Sequence, residues 1–204
     1  MSDNFKSFSW EFFHSTDFDM ESKSFKNQLD CSIKEHDIQD YIKKNSKWFI
    51  PLSILKDYDF GHHDAYVVPE FAMGSEYKAD YLLIGKNSLG WNYIFVEFEG
   101  VNCRFKQNNK RDVTKEVRNG ITQIREWRKW IDCCKDYFEK TIGKEIDDYN
   151  IPTWVFHYCL VVGRRKEMDD EANSLRGQIQ SESGIQIITY DRLVDNIRLL
   201  SNGI

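Results

Sequence analysis

The sequence predicts a mixed α/β domain, one sheet with helices on its faces. Three observations carry this. Three strand-like runs between residues 66 and 99 are separated by short turns, which reads as an antiparallel meander. A long amphipathic helix follows, and then a run apolar enough for a central strand, so the helix acts as a crossover. Hydrophobic residues make up 41% and aromatics 15% of 204 residues, enough for a packed core with a short appendage.

The elements follow in order. Residues 1–30 are aromatic and acidic (SFSWEFFH, then DFDMES). They form an N-terminal extension, either a strand or hairpin laid on the core or a contact surface for a partner. The main domain is expected over 31–204. Ser32-x-x-Glu35 is a capping box, and Ile38, Tyr41 and Ile42 give a helical apolar face over about 33–44. YVVPEFAM (66–73) is a strand whose Pro69 demands an edge or a bulge. YKADYLLIG (77–85) and WNYIFVEFE (91–99) complete the meander.

Val117, Ile121, Ile124, Trp127, Ile131, Cys134 and Phe138 then form one stripe of a helix over 112–139. WVFHYCLVVGRR (154–165) supplies a buried strand and 167–181 a polar helix. IQIITY (185–190) is a last strand, with Asp191 capping a short final helix. The order is α-β-β-β-α-β-(α)-β-α around an α-β-β-β-α-β core.

Composition narrows the function. The chain opens without the basic-then-apolar pattern of a secretory signal, and no apolar run approaches a membrane span. The five cysteines are odd in number and lack a C-x-x-C pair, as suits reduced thiols in a cytoplasmic protein. Net charge is −5, yet residues 101–130 carry nine Lys/Arg against three acids. Such a stretch suits a polyanion, or else a solvated helix face with local pairs such as Glu126 beside Lys129.

The chemistry concentrates in WNYIFVEFEG. Residues two apart in a strand share a face, so Glu97 and Glu99 stand with Tyr93 and Phe95. Side by side in an apolar setting, two carboxylates repel unless a cation joins them. Mg²⁺ takes oxygen ligands, commonly one or two carboxylates. Asp80 is the lone acid in the neighbouring apolar strand and can converge on Glu97. Two acids on adjacent strands suit metal-assisted phosphodiester hydrolysis. The competing possibility is that Glu97 and Glu99 face solvent from a one-sided sheet.

Asp80…Glu97-x-Glu99 on adjacent strands, followed by a helix bearing Gln123, resembles the PD-(D/E)XK nuclease pattern. More narrowly, the chain resembles the nuclease domain of Shedu-type bacterial defence proteins. The blocks that carry it, over about 35–200, are EHDIQDYIKKNSKWF, VVPEFAMGSEYKADYLL, FVEFEG, GITQIREWRKWI, YCLVVGRR and ITYDRLV. The resemblance implies a restriction-endonuclease-like mixed sheet, dependence on Mg²⁺ or Mn²⁺, and DNA as substrate. It implies metal ligation by Asp80 and Glu97 and a place beside the site for Gln123. DNA contacts would come from Arg104, Lys106, Lys110, Arg111, Lys115 and Arg118.

One departure stands out. The pattern usually has lysine two residues after the catalytic glutamate, where this chain has Glu99. Glu99 could act as a general base or as a second metal ligand, or Lys78 or Lys106 could supply the positive charge. The remaining option is a weak or inactive nuclease fold that binds DNA or assembles with partners, including copies of itself. Glu35, Glu70, the pair His62-His63, and Arg164-Arg165 have plainer explanations as a cap, an edge residue, a ligand pair without a third member, and acid-paired cations.

Overall fold

The computed structural model describes residues 4–34, 36–108 and 110–204. Among them, six strands form a single mixed sheet whose spatial order follows chain order. They are β1 (Lys6–Ser7), β2 (Asp64–Met73), β3 (Tyr77–Asn87), β4 (Gly90–Phe98), β5 (Phe156–Val161) and β6 (Ile185–Ile188). Strands β1 to β4 pair antiparallel, and β4, β5 and β6 run parallel. The expected meander, crossover and mixed sheet are all present.

The helices are α1 (Trp10–Ser15), α2 (Phe18–Cys31), α3 (Asp37–Lys44), α4 (Phe49–Leu52), α5 (Lys115–Ile146), α6 (Asp170–Ser183) and α7 (Tyr190–Leu199). They cover both faces of the sheet. One apolar layer joins α5 and α6 to Leu82, Ile84, Tyr93 and Phe95. The other joins α2, α3, α4 and α7 to Leu83, Ile94, Val96 and Phe98. Strand β4 is therefore buried on both sides, so alternate residues on it serve different layers. No helix among the described residues is long and apolar enough to cross a membrane.

Several boundaries differ from the sequence expectation, each for a local reason. Residues 4–31 supply β1, α1 and α2, and α2 sends Phe18, Phe25 and Leu29 into the second layer. Ser32 ends α2 rather than opening α3: it is the C-cap, and its hydroxyl donates back to the Gln28 carbonyl at 2.8 Å. Its capping-box partner, Glu35, lies outside the described residues. The Asp37 carboxylate instead accepts from the Ile33 and Lys34 N–H groups ahead of α3.

Helix α5 runs seven residues beyond 139. A kink at Cys134 (φ −120°, ψ 24°) re-aims its last turns, so that Phe138, Ile142 and Ile146 rejoin the core. Asp191 does not cap α7; Thr189 takes the N-cap position, and Asp191 binds Arg164 and the Arg165 N–H.

Candidate functional site

The site begins with a break in alternation. On β3, Ala79 and Leu82 both pack on the α5 layer, and on β2 so do Val68 and Phe71. Two residues separate each pair, whereas strict alternation allows one. Pairing nevertheless keeps its register across the break, from Pro69↔Tyr81 to Phe71↔Ala79. Glu70 and Asp80 are the residues that drop out. Glu70 adopts a left-handed backbone (φ 51°), a conformation costly for a residue with a Cβ. The irregularity that Pro69 foretold is this matched distortion.

Its consequence is the orientation of Asp80. The β3–β4 ladder ends at Tyr81↔Val96, one step short of Asp80 and Glu97. The Asp80 carboxylate fills the gap, accepting the Phe98 N–H through Oδ2 at 2.8 Å. It also meets the Gln39 side chain of α3. Asp80 is thus pressed against the backbone that links Glu97 to Glu99. Burial raises its carboxyl to about 6, although the Phe98 N–H, Gln39, His36 and Lys78 all pull the other way.

Glu97 and Glu99 are buried, each 8% exposed, which removes the solvated alternative. They follow Tyr93 and Phe95 in the strand's alternation, so they project toward the α5 layer as expected. Glu99 packs against Gly120 of α5: a Cβ added there would stand 3.1 Å from Glu99 Cγ and 2.7 Å from Leu160 Cδ1. Gln123 lies one turn further along α5, half-buried.

Gly120→Ala is therefore a probe of this approach. Alanine favours a helix by up to about 1 kcal/mol, yet overpacking costs roughly 1–3 kcal/mol. The expected result is a lower melting temperature together with a displaced Glu99. A higher melting temperature would show that α5 stands further off.

Tyr190 is the member that the sequence does not single out: expected at the end of a strand over 185–190, it opens α7 instead. It is fully buried and donates its hydroxyl to the Glu99 carbonyl at 2.7 Å. Burial first, then the charges of Asp80, Glu99 and Glu97, push this phenol well above its ordinary range. The three acids thus all act on one buried hydroxyl, which itself bonds the Glu99 backbone. Its only sequence signal was its place in ITYDRLV.

The remaining candidates separate. Glu70 is exposed and bridges Lys43 (3.3 Å) and Lys78 (3.2 Å). Lys106 is tied to Glu171, so each of the two lysines that could replace the one absent at 99 has an acid partner. Arg104 pairs with Glu167 at 3.4 Å and Arg118 with Asp112. Lys110, Arg111 and Lys115 are exposed and carry no ion pair among the described residues. His62 and His63 touch each other, ring centroids 4.6 Å apart. Arg164 and Arg165 are held by Asp30, Asp191 and Asp195.

Among the described residues, no group of three or more His, Cys, Asp and Glu side chains is disposed to hold a metal ion. Asp80, Glu97 and Glu99 do not make a ready three-ligand set. The donor chemistry nonetheless fits a hard cation: all three are carboxylates, Glu97 and Glu99 are buried, and the Phe98 N–H ties Asp80 to the backbone between them. A family model described as Shedu protein SduA, C-terminal, matches residues 32–194, a span that holds every one of these acids and Tyr190. No curated protein matches the chain.

Proposed function

We propose a metal-dependent DNA phosphodiesterase function for this chain, which belongs to the Shedu protein SduA C-terminal family. The activity is that of an endonuclease of bacterial anti-phage defence, on a restriction-endonuclease-like sheet. The observation that carries the reading is the paired break at Glu70 and Asp80. It turns a carboxylate out of the ladder and sets it against the Glu97–Glu99 segment, where ionisation is unfavourable without a cation.

Asp80 and Glu97 are the residues that would hold Mg²⁺ or Mn²⁺, in keeping with the one or two carboxylates that Mg²⁺ usually takes. When bound, such a cation polarises a phosphodiester and lowers the pKa of water. The chain's own residues supply the rest. The Phe98 N–H fixes Asp80 Oδ2, and the Gln39 side chain also meets this carboxylate, so a bound cation would share it with both. Glu99, packed on Gly120 and bonded by Tyr190 through its backbone carbonyl, would accept a proton from the attacking water. Gln123 orients that water or a phosphate oxygen. Lys110, Arg111 and Lys115 are the basic groups left to meet a DNA backbone.

A second reading is a nuclease fold without turnover that binds DNA. It is favoured by one observation: Glu99 stands where lysine is usual, and Lys78 and Lys106 are both paired with acids. Nicking of supercoiled plasmid by the wild-type chain and by Glu97→Gln, in Mg²⁺ and in Mn²⁺, decides between them. Cleavage lost in the variant supports the first reading. Equal behaviour of the two proteins, active or inert, rejects it.

The metal can also be read without cleavage. In the metal-free protein, Asp80 has a raised carboxyl, so its contribution to stability is complete below pH 4 and is lost as pH rises through about 6. Cation binding needs the ionised form. At a cation concentration about 100-fold above its Kd at pH 7.5, Mn²⁺ should therefore raise the melting temperature by roughly 5–10 °C at pH 7.5 and by about half as much at pH 5, where about a tenth of Asp80 is ionised. A rise that is the same at both pH values would place the cation away from Asp80.

A further inference from the structure

On the other side of β6 from the acids, a cavity of about 480 Å³ opens between α6, the end of β6 and the first turn of α7. This volume lies in the range of small-ligand sites. Three arginines line it: Arg165, Arg176 and Arg192. Arg192 binds Asp57 through Nε at 2.9 Å and through a terminal nitrogen, and Arg165 binds Asp195. Arg176 has no ion pair or hydrogen bond among the described residues. Burial and the charge of Arg165 hold its proton affinity below the usual guanidinium range. Two like charges beside one cavity, one of them without a counter-ion, call for an anion.

The cavity is polar in a directional way. Asp57 has a side chain only 5% exposed and takes three N–H donors, from Arg192 and from Asn196 Nδ2 (3.0 Å). A carboxylate has about four acceptor sites, so it can still accept a hydroxyl, while its charge keeps an anion away. The anion therefore belongs at the Arg165–Arg176 end and a hydroxyl-bearing group at the Asp57–Arg192 end. Met168, Ile187 and Ile188 add apolar surface to the lining.

The edge of β6 is closed to another strand. The Ile187 N–H donates to Gln180 Oε1 at 2.7 Å and the Ile185 N–H to Ser183 Oγ at 3.2 Å. A peptide adding to the sheet would find those donors taken. A discrete molecule with a phosphate, a hydroxylated middle and a flat apolar part fits what is left.

We propose that this cavity binds a mononucleotide, with its phosphate on Arg165 and Arg176 and its ribose on Asp57. The site is separate from the acids proposed for hydrolysis, and its wall is one residue from a partner of theirs: Thr189 lines the cavity and Tyr190 binds the Glu99 carbonyl.

The test is titration calorimetry of the wild-type chain with ADP, AMP and inorganic phosphate, without divalent metal, so that the outcome does not depend on the nuclease reading. Saturable binding of ADP or AMP is expected, weakened at least tenfold in R176Q and less in R176K. Amide exchange in the wild-type protein should slow over 173–180 and 186–192 on addition of ADP, an arm that needs no variant to fold. Absence of saturable binding would overturn the proposal. So would R176Q binding as wild type does, with its melting temperature unchanged. Inorganic phosphate binding as tightly as ADP would also overturn it, reducing the site to an anion contact. Displacement of ADP by a short DNA duplex at stoichiometric amounts would assign the arginines to a DNA surface instead.

Discussion

Replacing Asp80 with asparagine is expected to remove metal-dependent cleavage and, above pH 6, to make the protein more stable. The two effects have one cause. Asparagine keeps an acceptor for the Phe98 N–H and nearly the shape of aspartate, but carries no charge. A cation ligand and its stabilisation of developing charge are lost, which at several kcal/mol corresponds to roughly 10²–10⁴ in rate. Meanwhile the cost of ionising a buried carboxyl disappears. Its rise from 3.8 to about 6 is worth at most about 3 kcal/mol at 1.36 kcal/mol per pKa unit, and about 1–2 after solvent screening at a partly open site. The melting temperature at pH 8 should rise by about 2–6 °C and at pH 4.5 should hardly change. Loss of cleavage with a fall in stability at both pH values would make Asp80 a structural acid. Unchanged cleavage would remove it from the reaction.

This trade between stability and chemistry explains which parts of the site were legible in the sequence. Glu97 and Glu99 could be found because strand alternation is strict: Tyr93, Phe95, Ile94 and Val96 fix both faces, and two acids on the inner one stand out. Asp80 was visible as the lone acid of an apolar strand, but its orientation was not. Counting by twos from Leu82 or Ile84 sets it toward α5, whereas the break at Glu70 turns it toward α3. Pro69 signalled an irregularity without saying which residues would leave the ladder. Tyr190 was hidden for a different reason. Its contact with Glu99 spans 91 residues, and no local pattern encodes such a pairing. Ser32 misled because a serine that ends one helix looks like one that starts the next. In the basic segment, sequence shows local pairs such as Glu126 with Lys129 but not that α6 and its approach supply Glu167 and Glu171 to neutralise two of its cations.

Arg164→Ala is expected to produce the largest loss of stability of any substitution considered. Arg164 ends the β5 segment with a side chain only 7% exposed. It makes a two-pronged contact with Asp191, Nε to Oδ2 at 3.0 Å and a terminal nitrogen to Oδ1 at 3.1 Å, and reaches Asp30 of α2 at 2.8 Å. One cation thus ties α2 and α7 to the sheet. Burial pushes Asp191 up, but Arg164 and the Arg165 N–H outweigh it and hold the carboxyl below its ordinary value. The clamp's contribution is therefore present above about pH 4 and is lost as pH falls through that lowered value.

Removing the arginine leaves Asp191 charged and mostly enclosed, which typically costs about 3–5 kcal/mol, or roughly 6–20 °C in a domain of this size. Asp30→Ala removes a partner that is 54% exposed and should cost about 1 kcal/mol or less. Denaturant unfolding of the two variants at pH 7 gives the comparison. If Asp30→Ala proves as damaging as Arg164→Ala, the force that holds α2 in place runs through Asp30 and not through the buried pair. If both are mild, the apolar contacts of Phe18, Phe25 and Leu29 suffice to hold α2, and Arg164 serves only to pin the segment after β5 to the first turn of α7.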